Sequence, residues 1–283
     1  MAKTPSQLSP EKTAFINALA NFTDRQVSEF MQGGVSLANY GKPLPIAAPI
    51  AIPKAYPAPY LGGNPDNVLF IGDTHIPFML DGYLEFCRQE QEKWDCGRVV
   101  HIGDVMDFHA ISYHESDPDG LSAGDELTAS QTQLAQLFAM FPTADSLEGN
   151  HCKLVARKAM TAGLSKRMVR TLPEILDAPP TWQFHDEIEI HGVSVSHGGA
   201  GGDAQRMATH SRQSTVNGHR HSLAYVNWMV SKKDAIFGMQ VGCGMNDKSY
   251  AAAYGRPMPK KSVISCGILL DKGRTPLVRL MPR

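Results

Sequence analysis

Val68-Leu69-Phe70-Ile71-Gly72-Asp73-Thr74-His75 and Val99-Val100-His101-Ile102-Gly103-Asp104-Val105-Met106-Asp107 are the two stretches that decide how this chain folds. Each is a short apolar run that ends in Gly-Asp. Short apolar runs of this kind read as strands. Between them Leu80, Tyr83, Leu84, Phe86 and Cys87 fall at helical spacing over 80–93. A third short run ends in Leu147-Glu148-Gly149-Asn150-His151, after a helical pattern over 124–140 marked by Leu127, Leu134, Leu137 and Phe138. Strands at 68–72, 98–102 and 144–148 alternating with helices predict an α/β fold on a parallel sheet.

After the third run, a basic stretch over 152–170 reads as a further helix. Beyond it the chain becomes rich in short strands, at 182–190, 192–196, 213–217, 223–230, 235–242 and 262–270. These predict a second, mixed sheet packed on the first. Two more polar motifs sit among them, Val193-Ser194-Val195-Ser196-His197-Gly198-Gly199 and Asn217-Gly218-His219-Arg220-His221. On the N-terminal side, residues 42–66 carry seven prolines between Lys42 and Pro65. Proline removes backbone donors and disfavours helix, so this segment reads as a linker or an extended arm. Residues 1–41 read as a helical extension. Ser9-Pro10-Glu11 suits a helix start, and Phe15, Ile16, Leu19 and Phe22 follow at helical spacing. Its readings are a helical hairpin that packs on the main domain or joins two copies, and a helix-turn-helix that reads DNA. The main domain is expected over 67–283.

Bulk properties narrow the class. A net charge of -1 and a pI near 6.8 give no global attraction to nucleic acid or membrane, so polyanion binding would need a local patch. Five scattered cysteines form no C-x-x-C pair, which favours a reducing compartment. No signal-peptide pattern opens the chain, and no apolar run approaches the ~18–20 residues of a membrane span. The expectation is a cytoplasmic protein.

The motifs carry hard oxygens and imidazoles just past strand-like runs, where an open α/β sheet presents its chemistry. Asp73 and His75 offer a carboxylate and an imidazole from one turn. Asp104, at the end of the next strand, is placed to be shared between two cations, and Gly103 lets backbone approach closely. Asn150 adds a neutral oxygen; His197, His219 and His221 complete two sets of four ligands around one shared carboxylate. Any one of these histidines alone would be an ordinary hydrogen-bonded residue; the ordered set of five motifs is what points to metal. Mixed oxygen and nitrogen ligands suit Mn²⁺, Fe, Zn²⁺ or Ni²⁺ better than a thiolate site would and do not choose among them; Mn²⁺ is the metal expected.

In this order the motifs resemble the calcineurin-like metallophosphoesterases, whose signature is Asp-x-His, Gly-Asp-x-x-Asp, Gly-Asn-His followed by an acid, a His after a strand, and Gly-His-x-His. The match spans residues 68 to about 222. The resemblance implies a four-layer α/β/β/α sandwich of two mixed sheets and two divalent metal ions at the strand ends. It implies that Asp73, His75, Asp104 and His221 hold one metal, and Asp104, Asn150, His197 and His219 the other. His151 would be the general acid, oriented by Asp107. Paired cations of this kind lower the pKa of water toward neutrality and clamp a phosphoryl group.

Two positions depart from that pattern. Cys152 stands where the acid after Gly-Asn-His is expected, as a buried structural thiol or, alternatively, a nucleophile. Phe108 stands where the Ser/Thr protein phosphatases of the family carry Arg, which argues against that branch. For the substrate, Lys153 and Arg157 on the basic stretch, with Arg206 and Arg220 beside the later motifs, are candidate phosphate contacts. The function expected is a metal-dependent phosphodiesterase acting on DNA, RNA or a nucleotide. The alternatives are a broad-specificity phosphomonoesterase and an inactive scaffold that keeps the metals. The layout and the C-terminal tail also look similar to bacteriophage-type phosphoesterases.

Overall fold

The computed structural model describes residues 58–113, 119–255 and 261–282, which belong to a compact unit running from Ala55 to Arg283. The helical extension expected over 1–41, its role in joining copies, and most of the linker lie outside the described residues.

Two sheets face each other. The first has the order β11-β10-β1-β2-β3-β4, built from β1 (Asn64–Ile71), β2 (Cys96–His101), β3 (Ala144–Leu147), β4 (Trp182–His185), β10 (Ser265–Leu270) and β11 (Thr275–Leu280). Strands β1 to β4 run parallel, and the C-terminal hairpin β10–β11 adds antiparallel to β1. The second sheet has the order β5-β6-β7-β9-β8, from β5 (Glu187–Ile190), β6 (Val193–Ser196), β7 (Thr215–Asn217), β8 (Tyr225–Val230) and β9 (Ala235–Gln240). Its β6, β7 and β9 are parallel, with antiparallel strands at both edges.

The apolar run of β1 explains the layering. Alternate side chains leave opposite faces of a strand. Val68 and Phe70 therefore enter the core between the sheets with Val100, Ile102, Val195, Val216, Phe237 and Met239. Leu69 and Ile71 face the other way, into a core with Leu84 and Cys87 of helix α1 (Tyr83–Lys93) and Leu134 and Leu137 of helix α2 (Ala123–Met140). A strand between two dry layers must be apolar at every position, which is why this run does not alternate. The fourth layer is helix α5 (Ala204–Ser211), packed on β7 and β9. The α/β/β/α sandwich of two mixed sheets is thus the architecture of the described residues.

Several boundaries differ from the sequence reading. The domain takes in part of the segment read as linker: Tyr60 donates to Asp95 at 2.6 Å, Arg88 donates to the Ala58 carbonyl, and β1 begins at Asn64. Pro65 has no N–H, and the β1–β2 register breaks between Asn64 and Val68. The run 182–190 is two strands in different sheets, joined at Asp186 as the chain crosses over. The run 262–270 belongs to the first sheet, not the second, and β11 was not foreseen. Helix α5 was not foreseen either; Asp203 caps it by accepting from the Arg206 N–H at 3.0 Å. The basic stretch 152–170 is not one helix. Helix α3 (Leu154–Thr161) ends before Gly163, whose positive φ of 76° turns the chain. A 3₁₀ turn (Lys166–Met168) and the short helix α4 (Leu172–Leu176) follow.

Candidate metal centre

Parallel strands of both sheets end at one edge and deliver the motifs there. From the first sheet come Asp73 after β1, Asp104 after β2 and Asn150 after β3; from the second come His197 after β6 and His219 and His221 after β7. Backbone bonds tie the loops together: His75 N–H donates to the Asp104 carbonyl at 2.9 Å, and Gly218 N–H to the His197 carbonyl at 3.0 Å. Across the sheets, His219 N–H donates to Asp73 Oδ2 at 2.9 Å.

The glycines of the motifs are required by crowding. A Cβ on Gly103, whose φ is +115°, would sit 2.5 Å from His197 Nδ1. One on Gly149 would overlap Asp104 Oδ1, and one on Gly218 would overlap Asp73 Oδ1. Three of the candidate ligands themselves, His75, Asp104 and His219, adopt left-handed backbone with φ of 47°, 47° and 66°. Such conformations cost about 1 kcal/mol or more each and collect at functional sites.

Two of the candidate ligand imidazoles, His75 and His197, are aimed by the hydrogen bond on the far nitrogen. His75 Nδ1–H donates to Asp107 Oδ1 at 2.5 Å, which leaves Nε2 as a lone pair facing His221 Nε2 at 3.0 Å. His221 Nε2 in turn lies 3.1 Å from Asp73 Oδ2. His197 Nδ1–H donates to the Ile102 carbonyl at 3.1 Å, so its Nε2 meets Asn150 Oδ1 at 3.2 Å and Asp104 Oδ2 at 3.1 Å. Asp104 Oδ2 also lies 4.0 Å from His75 Nε2, between the two groups. In both places acceptors converge on acceptors, which only a proton or a cation reconciles. Among the described residues, buried Asp73 Oδ1 has no hydrogen-bond partner.

The electrostatics point the same way. Burial pushes Asp104 toward neutrality, but His197, His75 and His151 outweigh it and hold its pKa well below the usual carboxylate range. Asp73 is likewise lowered, against its burial, by His197 and His221. The two carboxylates return the effect: although burial opposes it, His197 is drawn up to about 9. A buried pocket that keeps two carboxylates ionised and pulls a proton onto an imidazole is a pocket that selects positive charge. Ligand atoms of Asp73, His75 and His221 all lie within 4.8 Å of one another, as do those of Asp104, His197 and His219. The donor set is hard oxygen plus imidazole, and it fits a divalent metal.

A third such group, His75, Asp107 and His151, has a different character. His151 Nδ1–H donates to the main-chain carbonyl of Asp107 at 2.5 Å, while the Asp107 carboxylate is 3.4 Å away and engaged with His75. Asp107 therefore orients His151 chiefly through its backbone and His75 through its side chain. Cys152 is buried, and its thiol is pushed up to about 12 by burial and then by Asp104. A thiol held neutral in this way is a poor nucleophile; the other four cysteines are also buried and unpaired. Phe108 is buried in the helix-side core.

The candidate phosphate contacts have different surroundings. Lys153 is spent on Asp186, 2.6 Å away, and Arg157 lies over the Tyr113 ring with its guanidinium carbon 4.8 Å from the centroid. Arg206 lines a cavity with Glu187, Ser194, His210 and Thr215, none of which is a candidate ligand. Arg220 is exposed between His219 and His221.

Three supporting residues were missed. His101 Nε2–H donates to Thr74 Oγ1 at 3.0 Å, and Thr74 donates to the Val105 carbonyl at 2.9 Å, so the first two motifs are bolted together. The signal was a histidine inside an otherwise apolar run. Glu126, fully buried on α2, accepts from the His109 and Ala110 N–H groups at 2.9 and 3.0 Å and holds the turn that follows Asp107. No sequence pattern marked it.

No protein-family model matches this chain, and no curated protein matches it. Among solved structures it is similar to vacuolar protein sorting 29 from Cryptosporidium parvum, at 13% identity and a TM-score of 0.38, over 79% of this chain and 100% of that one.

Proposed function

We propose that this chain is a phosphoester hydrolase that works with two divalent metal ions, Mn²⁺ foremost, and that its substrate is a phosphodiester of a nucleic acid or nucleotide. The observation that carries the reading is the convergence of lone pairs at the strand ends, with Asp104 Oδ2 between two imidazole groups and Asp73 Oδ1 buried without a hydrogen-bond partner among the described residues. The ordered motifs, similar to those of the calcineurin-like metallophosphoesterases, supply the chemistry. Asp73, His75, Asp104 and His221 would hold one metal; Asp104, Asn150, His197 and His219 the other. When bound, the metals supply Lewis acidity for the phosphoryl group and for water.

The protein's own residues supply the rest. Asp107 and the Ile102 carbonyl keep the Nδ1–H tautomers of His75 and His197, so that Nε2 of each faces the site. With Nδ1 of His151 committed to the Asp107 carbonyl, Nε2 is the atom left to hand a proton to the departing oxygen.

The test is to strip the purified chain of metal, restore Mn²⁺, and compare an aryl phosphodiester with the matching monoester. Turnover should require the metal and fall about 10²-fold or more in Asp104→Asn. A diester preference supports the reading; a monoester preference would favour a phosphomonoesterase, and metal binding without turnover of any ester a scaffold. His151→Ala should be milder on activated aryl esters, whose leaving groups scarcely need an acid, than on alkyl esters. Failure to bind metal would sink the proposal.

A further inference from the structure

We propose that Tyr113 and helix α3 form a binding platform for single-stranded nucleic acid beside the metal centre, with unpaired bases stacking on Tyr113 and backbone phosphates drawn to Arg157 and Lys158. The proposal builds on the phosphodiesterase reading for what a bound strand would meet there, but the binding itself does not depend on it.

Tyr113 is 53% exposed, yet it is not a stray aromatic. The Arg157 guanidinium carbon lies 4.8 Å and the Lys158 ammonium 4.1 Å from its ring centroid. A surface aromatic in the company of cations is the combination that captures single strands, because every base has a π-face and every nucleotide a negative phosphate. Among the described residues, three of the cations lack an acidic partner. Lys153 is paired with Asp186 and Arg170 with Asp177, but Arg157, Lys158 and Arg167 have no ion pair among the described residues. No acidic residue occurs between Lys153 and Glu174. A chain of net charge -1 therefore concentrates positive charge on this one segment. The same segment exposes Met160 at 57% and Met168 at 73%, soft apolar surface that a base can cover.

Placement separates a nucleic acid from other polyanions. Helix α3 starts just after His151, and the Leu154 N–H donates to the His151 carbonyl at 3.0 Å. It packs on the 3₁₀ turn (His109–Ile111) that follows Asp107 and leads to Tyr113. The two loops that carry Asp107 and His151 thus deliver the two halves of the platform, and a strand resting on it has its phosphates at the rim of the metal centre. An anionic membrane is a poorer fit, since α3 spans only eight residues and its apolar face is already half committed to the core through Leu154 and Ala159.

The experiment uses the full chain carrying Asp104→Asn, so that the strand survives, with a labelled oligothymidylate, a duplex of mixed sequence, and vesicles containing phosphatidylserine. The single strand should bind in preference to the duplex, with log Kd rising with log salt at a slope of about 2, as expected for three phosphates neutralised by Arg157, Lys158 and Arg167. Adding Tyr113→Ala should weaken binding about tenfold and leave the slope unchanged, while Tyr113→Phe should retain affinity. Adding Arg157→Gln with Lys158→Gln should cut the slope to below about 1. Equal binding of duplex, indifference to Tyr113→Ala, or capture by vesicles instead of the strand would overturn the proposal. Wild-type hydrolysis of the aryl diester is measured in parallel. Turnover without strand binding defeats the platform alone, and strand binding without turnover of any ester defeats the hydrolase alone.

Discussion

His101 offers a quantitative test of how the first two motifs are joined. Its ring is fully buried; Nδ1 accepts from the Gly103 N–H at 3.2 Å and Nε2–H donates to Thr74 Oγ1 at 3.0 Å. Both nitrogens are satisfied only in the neutral form, because a proton on Nδ1 would face an N–H donor. Burial lowers its pKa to about 4, against the pull of Asp73 and Asp104, from an ordinary value of 6.5. A histidine depressed in this way contributes its full stability above the unfolded-state pKa and loses it as pH falls toward the folded-state value. The unfolded chain takes up the proton near pH 6.5, and the folded chain does not until about pH 4. Linkage across that window amounts to about 2 kcal/mol at about pH 5 and about 3 kcal/mol by about pH 4.

The perturbation is His101→Gln, which removes the titration. Urea unfolding of both proteins would be followed in a metal chelator, at about pH 7.5 and at about pH 5. The variant should be the less stable protein at the higher pH, having lost a buried hydrogen-bonded ring. The gap should then close by about 2 kcal/mol at the lower pH, because only the wild type pays for His101 there. Titrating groups that do not interact with His101 contribute equally to both curves and cancel in the difference. Parallel pH profiles for the two proteins would refute the argument that this ring is held neutral between the motifs.

Three further outcomes follow from the same geometry. Gly149→Ala places a Cβ against Asp104 Oδ1, which also accepts the His151 N–H at 2.8 Å. Mn²⁺ affinity measured by calorimetry should fall ~10–100-fold, and wild-type affinity would mean that Asp104 is not a ligand. Cys152→Ala should keep the Mn²⁺-dependent ester hydrolysis, since the thiol is buried and pushed up to about 12; abolished turnover with intact metal binding would make the thiol a nucleophile after all. Phe70→Ala, at a fully buried position between the sheets, should cost about 3–5 kcal/mol in urea unfolding. A loss below about 1 kcal/mol would show that the two sheets do not share that core.

Much of the candidate site was legible because its residues are local to strand ends. A strand that is apolar throughout and stops at Gly-Asp announces both its burial and the polar group it delivers. Asp73, Asp104, Asn150, His197, His219 and His221 could all be named from such stops. The supporting residues were hidden for the opposite reason. Glu126 reaches the turn after Asp107 from a helix fifteen residues or more away in sequence, at 2.9 and 3.0 Å from its two donors, and nothing in a helical period distinguishes it from a solvent-facing acid. For the candidate phosphate contacts the surroundings matter more than the sequence. Lys153 and Arg206 were chosen for charge and nearness in sequence, but what a long cation does is set by its neighbours, Asp186 in one case and a separate cavity in the other.

Two sheets, their apolar facing layers and the polar stops at their strand ends were determined by the sequence alone, because period and burial are properties of a short stretch. Partition of strands between sheets was decided only in three dimensions. Trp182–His185 pairs with β3 while Glu187–Ile190 pairs with β6, and the C-terminal hairpin returns to β1. Each choice turns on long-range backbone pairing and on which face finds a dry partner, and neither is encoded in the period of the strand itself. The tautomers of His75 and His197 belong to the same class. The imidazoles were visible in the sequence, but their aim depends on the Asp107 carboxylate and the Ile102 carbonyl, groups that only the folded chain brings against them.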